Sequence, residues 1–136
     1  MLDSSTSVER QIISEDIDIG ILFSTNPAAG VKYEPISREL LAVALPIGHP
    51  LARSTTITFK DLLREPFVIF PRRVRPYMFD QIISWCHQAH FSPTIAQEAT
   101  TEAELIGLVA AGLGVALVSK GHGYLWSDKF VSVRPV

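Results

Sequence analysis

The chain has 136 residues, 47% hydrophobic and 19% charged, with twelve basic against fourteen acidic side chains for a net charge of −2. That length supports one domain burying roughly two thirds of its unfolded surface, and the composition excludes a disordered chain. No basic stripe is available to grip nucleic acid, the single cysteine, Cys86, excludes an internal disulfide, and no apolar run approaches the ~20 residues of a membrane span.

The start of the chain lacks the basic-then-apolar layout of a secretory signal, so a soluble cytoplasmic protein is expected. Ser4, Ser5, Thr6 and Ser7 precede Val8, Ile12 and Ile13 and predict a helix N-cap, with Glu9 in the first turn. Ile17 to Leu22 (IDIGIL) predicts a core strand, with Asp18 as a structural acid near its end. Asn26-Pro27 and the following Ala-Ala-Gly mark a loop. Tyr33 to Leu45 then runs extended as far as Pro46. Gly48-His49-Pro50 predicts a turn, with His49 as a turn residue rather than a base. Thr58 predicts the cap of a short helix over FKDLLRE, closed by Pro66.

Phe67 to Phe70 is the next buried-strand candidate. A polar loop from Pro71 to Pro76 follows, and Pro76 suits the first position of a helix running to about His90. Phe79, Ile82, Ile83, Cys86 and Ala89 share one face of that helix. Pro93 to Ala99 predicts another strand, and Thr100 or Thr101 caps the helix after it, with Glu104 completing a capping box after Thr101. Leu105, Leu108, Val109 and Leu113 form the apolar face of this helix. Gly112 ends it, since glycine reaches the left-handed conformation without steric cost. Val115 to Val118 then reads as a strand buried on both faces of a parallel sheet. Gly121 to Gly123 predicts a loop, and Phe130 to Val133 a final strand. Strands alternating with helices from Phe67 onward define βαβ units on a largely parallel sheet.

Ligands of such sheets bind at the carboxyl ends of strands, where helix N-termini offer N–H donors to anions. That rule marks Phe70 to Arg72, the helix start at Thr100 and Thr101, and the helix start from Ser4 to Thr6. Arg72 is the best placed of Arg72, Arg73 and Arg75 for an anion contact, through its two-pronged donor geometry. Cys86 and His90 stand one helical turn apart, too few ligands for a closed metal site, so no metal and no cofactor is expected. No nucleophile elbow, phosphate-binding glycine loop or dinucleotide fingerprint is present in the sequence. No enzyme is expected.

IDIGI (Ile17 to Ile21), LAVALPIGHPLA (Leu41 to Ala52), ITFKDLLREPFVIFPR (Ile57 to Arg72), YMFDQI (Tyr77 to Ile82) and LIGLVAAGLGVALV (Leu105 to Val118) stand in an order and spacing that carry a resemblance. Over essentially the whole chain it resembles the effector-binding domain of LysR-type transcriptional regulators, in flavour nearest the subgroup sensing benzoate, muconate and related acids. The resemblance implies an α/β fold like type 2 periplasmic solute-binding proteins. Two subdomains joined by a hinge of crossing strands would hold a small effector between them. Residues 41–125 would form the second subdomain, and 1–40 with about 126–136 the crossing strands and an incomplete first subdomain.

The same likeness implies effector contacts at Ser5 and Thr6, at Phe70, Pro71 and Arg72, at Pro76 and Met78, and at Thr101 and Glu102. Phe23 also falls in the set, standing where some aromatic-acid sensors carry arginine, and Ser119 replaces a common proline. Against the family pattern, the DNA-binding helix-turn-helix, the opening elements and the closing elements are missing, so a chain truncated at both ends is expected. The implied function is sensing of a small anionic metabolite together with self-association to a dimer or tetramer. DNA would be reached only through a helix-turn-helix domain not in this chain, and no membrane is involved. The alternatives are a transporter's solute-binding protein or a truncated association module without its own effector.

Overall fold

The computed structural model describes residues 5–22 and 27–136. Helix α1 (Ser5–Ile13) is followed, after a long irregular stretch, by strand β1 (Leu41–Pro46). Then come β2 (Pro66–Ile69), α2 (Pro76–Gln88), β3 (Thr94–Glu98), α3 (Glu102–Ala110), β4 (Ala116–Ser119), α4 (Lys120–Trp126) and β5 (Val131–Pro135).

β1 lies between β4 and β5 and is antiparallel to both, while β2 and β3 run parallel. A parallel bridge from Phe67 to Val115 joins the two sets. There the Val68 N–H donates to the Val115 carbonyl and the Val115 N–H to the Pro66 carbonyl, both at 2.8 Å. The result is a mixed sheet in the order β3, β2, β4, β1, β5. β5 points the same way as β4, β2 and β3, so the largely parallel sheet expected from the sequence is corrected at β1 alone. Apolar runs look the same in either direction, because what they report is burial on both faces rather than strand direction.

Burial on both faces follows the period of two along each strand. Ala42, Ala44, Val68, Ala116 and Val118 pack with Leu105, Ile106 and Val109 of α3 on one face. Val43, Leu45, Phe67, Ile69, Val115 and Leu117 pack with Ile82 and Cys86 of α2 on the other. Gly114 makes the crossing of β2 and β4 possible, since a Cβ there would lie 2.5 Å from the Pro66 carbonyl oxygen. Gly114→Ala is expected to lower stability by about 1–3 kcal/mol, the usual cost of overpacking, as read by urea unfolding. A neutral result would mean that β2 can withdraw from β4 without loss.

Four local expectations change. Residues 17–22 form no strand, and Ile19 and Ile21 are 85% and 79% exposed, with Asp18 exposed beside them. A strand exists only in a hydrogen-bonded ladder, and among the described residues none pairs with this segment. Instead its Gly20 lies against Val8 of α1. FKDLLRE shortens to a single 3-10 turn at Phe59–Leu62, held by the Asp61 carboxylate accepting from the Thr58 N–H at 2.8 Å and hydroxyl at 2.9 Å. Leu113 is 47% exposed because the chain turns outward at Gly112, whose φ is +84°, and Ile106 takes its place in the core. The Gly121–Gly123 loop is helix α4: the Ser119 hydroxyl accepts from the His122 N–H, and Gly123 tucks against Val118 and Val133. Capping and close packing there outweigh the low helix propensity of glycine.

The remaining elements match expectation. Thr101 caps α3, accepting from the Glu104 N–H at 3.2 Å, while Glu104 reaches back one residue further, to the Thr100 N–H at 2.8 Å. Pro76 opens α2. His49 is a turn residue: its Nδ1 accepts from the Leu51 N–H, and its Nε2 lies 3.0 Å from Glu65. The Cys86 thiol is buried and pushed up to about 11 by burial, an unreactive core group. Among the described residues no cluster of ligating side chains could hold a metal ion, and no helix is long and apolar enough to cross a membrane.

Candidate functional site

β2 and β4 point their carboxyl ends the same way, and the chain then enters α2, α3 and α4 on that side of the sheet. Facing these ends are α1 and the extended segment from Val31 to Glu39. Between them opens a cleft of about 790 Å³. Its sheet side is built from Ile69 at the end of β2 and Phe70 after it, Pro76 and Met78 at the start of α2, Glu102 at the start of α3, and Ser119 with His122 at the start of α4. The N-termini of α2 and α3 therefore border one cavity, and their partial positive charges favour an anion there.

One arginine strengthens that preference. Arg75 caps α2, and its guanidinium carbon sits 4.1 Å from the centroid of the Phe70 ring, which is itself buried. Burial lowers its pKa from the usual arginine value, and the nearby Glu102 charge works in the opposite direction. A guanidinium stays protonated in proteins regardless. The Glu102 carboxylate in turn lies 3.1 Å from His122 Nδ1. The far wall is held by Tyr33, whose hydroxyl donates to Glu9 of α1 at 2.7 Å and accepts from the Ala28 N–H at 3.1 Å. Losing that proton would break the bond to Glu9, so the phenol's pKa is raised.

Of the residues expected at the site, Thr6, Phe70, Pro76, Met78 and Glu102 come together in the cleft. Pro71, Arg72 and Thr101 do not line it. Arg72 is engaged outside the cleft. It is exposed and makes a two-pronged ion pair with Asp80 at 2.9 and 3.0 Å, which also holds the Asp80 carboxyl below its ordinary range. Pro71 is buried, its carbonyl accepting from Val74 and Arg75. Thr101 is occupied as the cap of α3. Phe23 and the side chain of Ser5 lie outside the described residues.

Arg75 and His122 are among the cleft residues that were not expected at the site. The signal for Arg75 was its place immediately before Pro76, since the residue preceding a helix-opening proline sits at the helix mouth. His122 was hidden between two glycines that read as a loop.

An α/β sheet with an open cleft at the carboxyl ends of its strands, apolar in lining with a few convergent charges, defines a small-molecule binding domain. The chain belongs to the LysR substrate-binding domain family, whose model it matches over residues 1–134. It is 36% identical over 115 residues to the HTH-type transcriptional regulator AlsR of Bacillus subtilis (strain 168), a match covering 85% of this chain and 38% of that protein. Among solved structures it resembles the effector-binding domain of QuiR in complex with shikimate, at TM-score 0.82 and 19% identity over 98% of this chain and 62% of that one. It also resembles the BenM effector-binding domain with its effector benzoate, at TM-score 0.79 and 22% identity over 98% of this chain and 60% of that one. The likeness to both is one of fold, that of type 2 periplasmic binding proteins. The chain spans well under half the length of the curated relative that it matches.

Proposed function

We propose that this chain is the ligand-sensing part of a LysR-type transcriptional regulator and binds a small anionic metabolite in the cleft beside Arg75. The observation that carries this is the arginine stacked on Phe70 at a cavity bordered by the N-termini of α2 and α3. Contacts would come from Thr6, Phe70, Arg75, Pro76 and Met78, with Ser5 and Phe23 as further candidates. Residues 41–125 act as one subdomain together with β5, which was expected in the other but pairs along β1 and shares its core, and 1–40 contribute to the other. Binding shifts the population of subdomain and subunit arrangements, which requires different affinities for the two states. DNA is contacted through a helix-turn-helix region outside this chain, in the cytoplasm, and the chain itself is not an enzyme. The regulator names of its relatives support this over a transporter's solute-binding protein.

Self-association belongs to the same proposal, since β3 is an edge strand exposed along its whole length and such edges invite pairing. A monomer by sedimentation at micromolar concentration would remove that part. The sensing role is tested by a thermal-shift screen of this chain against aromatic and aliphatic carboxylates, including benzoate and shikimate. A ligand present at a hundred times its Kd is expected to add about 2.7 kcal/mol. A folded protein with no shift from any carboxylate would overturn it.

A further inference from the structure

We infer that anion binding in this cleft is coupled, through Glu102, to protonation of His122. The inference rests on the proposal that an anion occupies the cleft beside Arg75. Glu102 opens α3 and His122 lies in the first turn of α4, so two separate helix starts bring the carboxylate and the imidazole to 3.1 Å. Both line the cleft with Arg75 and Phe70. An incoming anion is drawn by Arg75 and repelled by Glu102. While His122 is neutral it can donate to Glu102 but leaves the negative charge in place. When His122 is protonated the pair becomes neutral overall, and the repulsion on the anion disappears.

Among the described residues, the other charges near His122 belong to groups of other types. Glu39 approaches α4 at Gly121, where a Cβ would lie 3.4 Å from its carboxylate, and Arg38 and Arg75 line the same cavity. Lys120 is on α4 itself, with its ammonium 5.9 Å from the Tyr124 ring centroid. β1 and β4, which pack against α4, carry no ionisable side chain. Arg134, in β5, is bound to the carbonyls of Ala52 and Val133. Carboxylates, guanidinium and ammonium groups as types keep their charge between pH 6 and 8, where histidine changes its own. The direction follows. The anion favours protonated His122, so the bound state holds its proton to higher pH than the free state. Affinity is greatest below the free-state titration and falls as pH rises through the bound-state one.

Titration calorimetry of the 136-residue chain tests this, with benzoate, shikimate and sulfate as separate probes at pH 6, 7 and 8 in two buffers of different ionisation heat. The expected result is uptake of part of a proton near pH 7 and affinity about tenfold higher at pH 6 than at pH 8, within the usual range of site coupling. Both signatures are expected to vanish in His122→Gln, which keeps a polar side chain but removes the titrating group, while Glu102→Gln is expected to strengthen binding because the repelling charge is gone. Binding of equal strength at pH 6 and 8 with no proton uptake overturns the coupling and leaves anion sensing standing. The same holds if the pH dependence survives in His122→Gln. No heat from any probe at any pH overturns the sensing role and the coupling with it.

Discussion

Phe67→Ala is expected to remove about 3–5 kcal/mol of folding stability, the range for deleting a buried aromatic ring. Phe67 is 1% exposed and packs with Leu62, Ile82 and Cys86, with the Phe91 ring centroid 6.5 Å away. It also stands at the junction of the sheet, paired with Ile95 of β3 on one side and Val115 before β4 on the other. A cavity there loosens the one crossing that joins the antiparallel strands to the parallel pair. Against a total of about 5–15 kcal/mol for a domain, the variant should unfold at far lower urea. Leu113→Ala is the control, since its exposed side chain should cost no more than about 0.5 kcal/mol. Equal midpoints for the two variants would mean that the junction is not where the sheet is held.

The second large effect separates two arginines three residues apart. Arg75→Gln is expected to weaken binding of a cleft anion by tenfold to a hundredfold, the loss of one charged hydrogen bond of about 1.5–3 kcal/mol. Arg72→Gln should change it by less than about twofold, because its charge is already committed to Asp80 on the exposed side of α2. An exposed ion pair of that kind contributes little to stability, so Arg72→Gln should fold as the parent chain does. Calorimetry with whichever carboxylate the thermal screen identifies gives the answer. Weakening in Arg72→Gln but not in Arg75→Gln would move the anion site out of the cleft.

The contrast between these arginines shows how the site was legible in part. Their chemistry is the same, and the sequence ranked them by distance from the strand end. The structure ranks them by what each side chain meets. Asp80, eight residues on, captures Arg72, while the Phe70 ring and the Glu102 charge receive Arg75. Likewise the stretch of Ile17 to Leu22 has the composition of a strand, yet a strand depends on a neighbour that local composition cannot supply. His122 was obscured for a related reason: Ser119 as a cap and the seat between Val118 and Val133 turn a glycine-rich stretch into a helix.

What the sequence determined by itself was whatever acts within a few residues or through the period of the apolar pattern. The caps at Thr58 and Thr101, the opening of α2 at Pro76, the turn at Gly112 and the buried runs of β1, β2 and β4 all belong to that class. Each is a local hydrogen bond, a backbone preference or a burial requirement. The motifs in their order also sufficed for the family. Only the tertiary structure decided that β1 runs antiparallel between β4 and β5, that α2 and α3 cover opposite faces, and that Arg75, Glu102 and His122 share one cavity. Those outcomes depend on contacts between segments far apart in the chain, and sheet direction and ion-pair choice carry no local energy by which a short stretch could announce them.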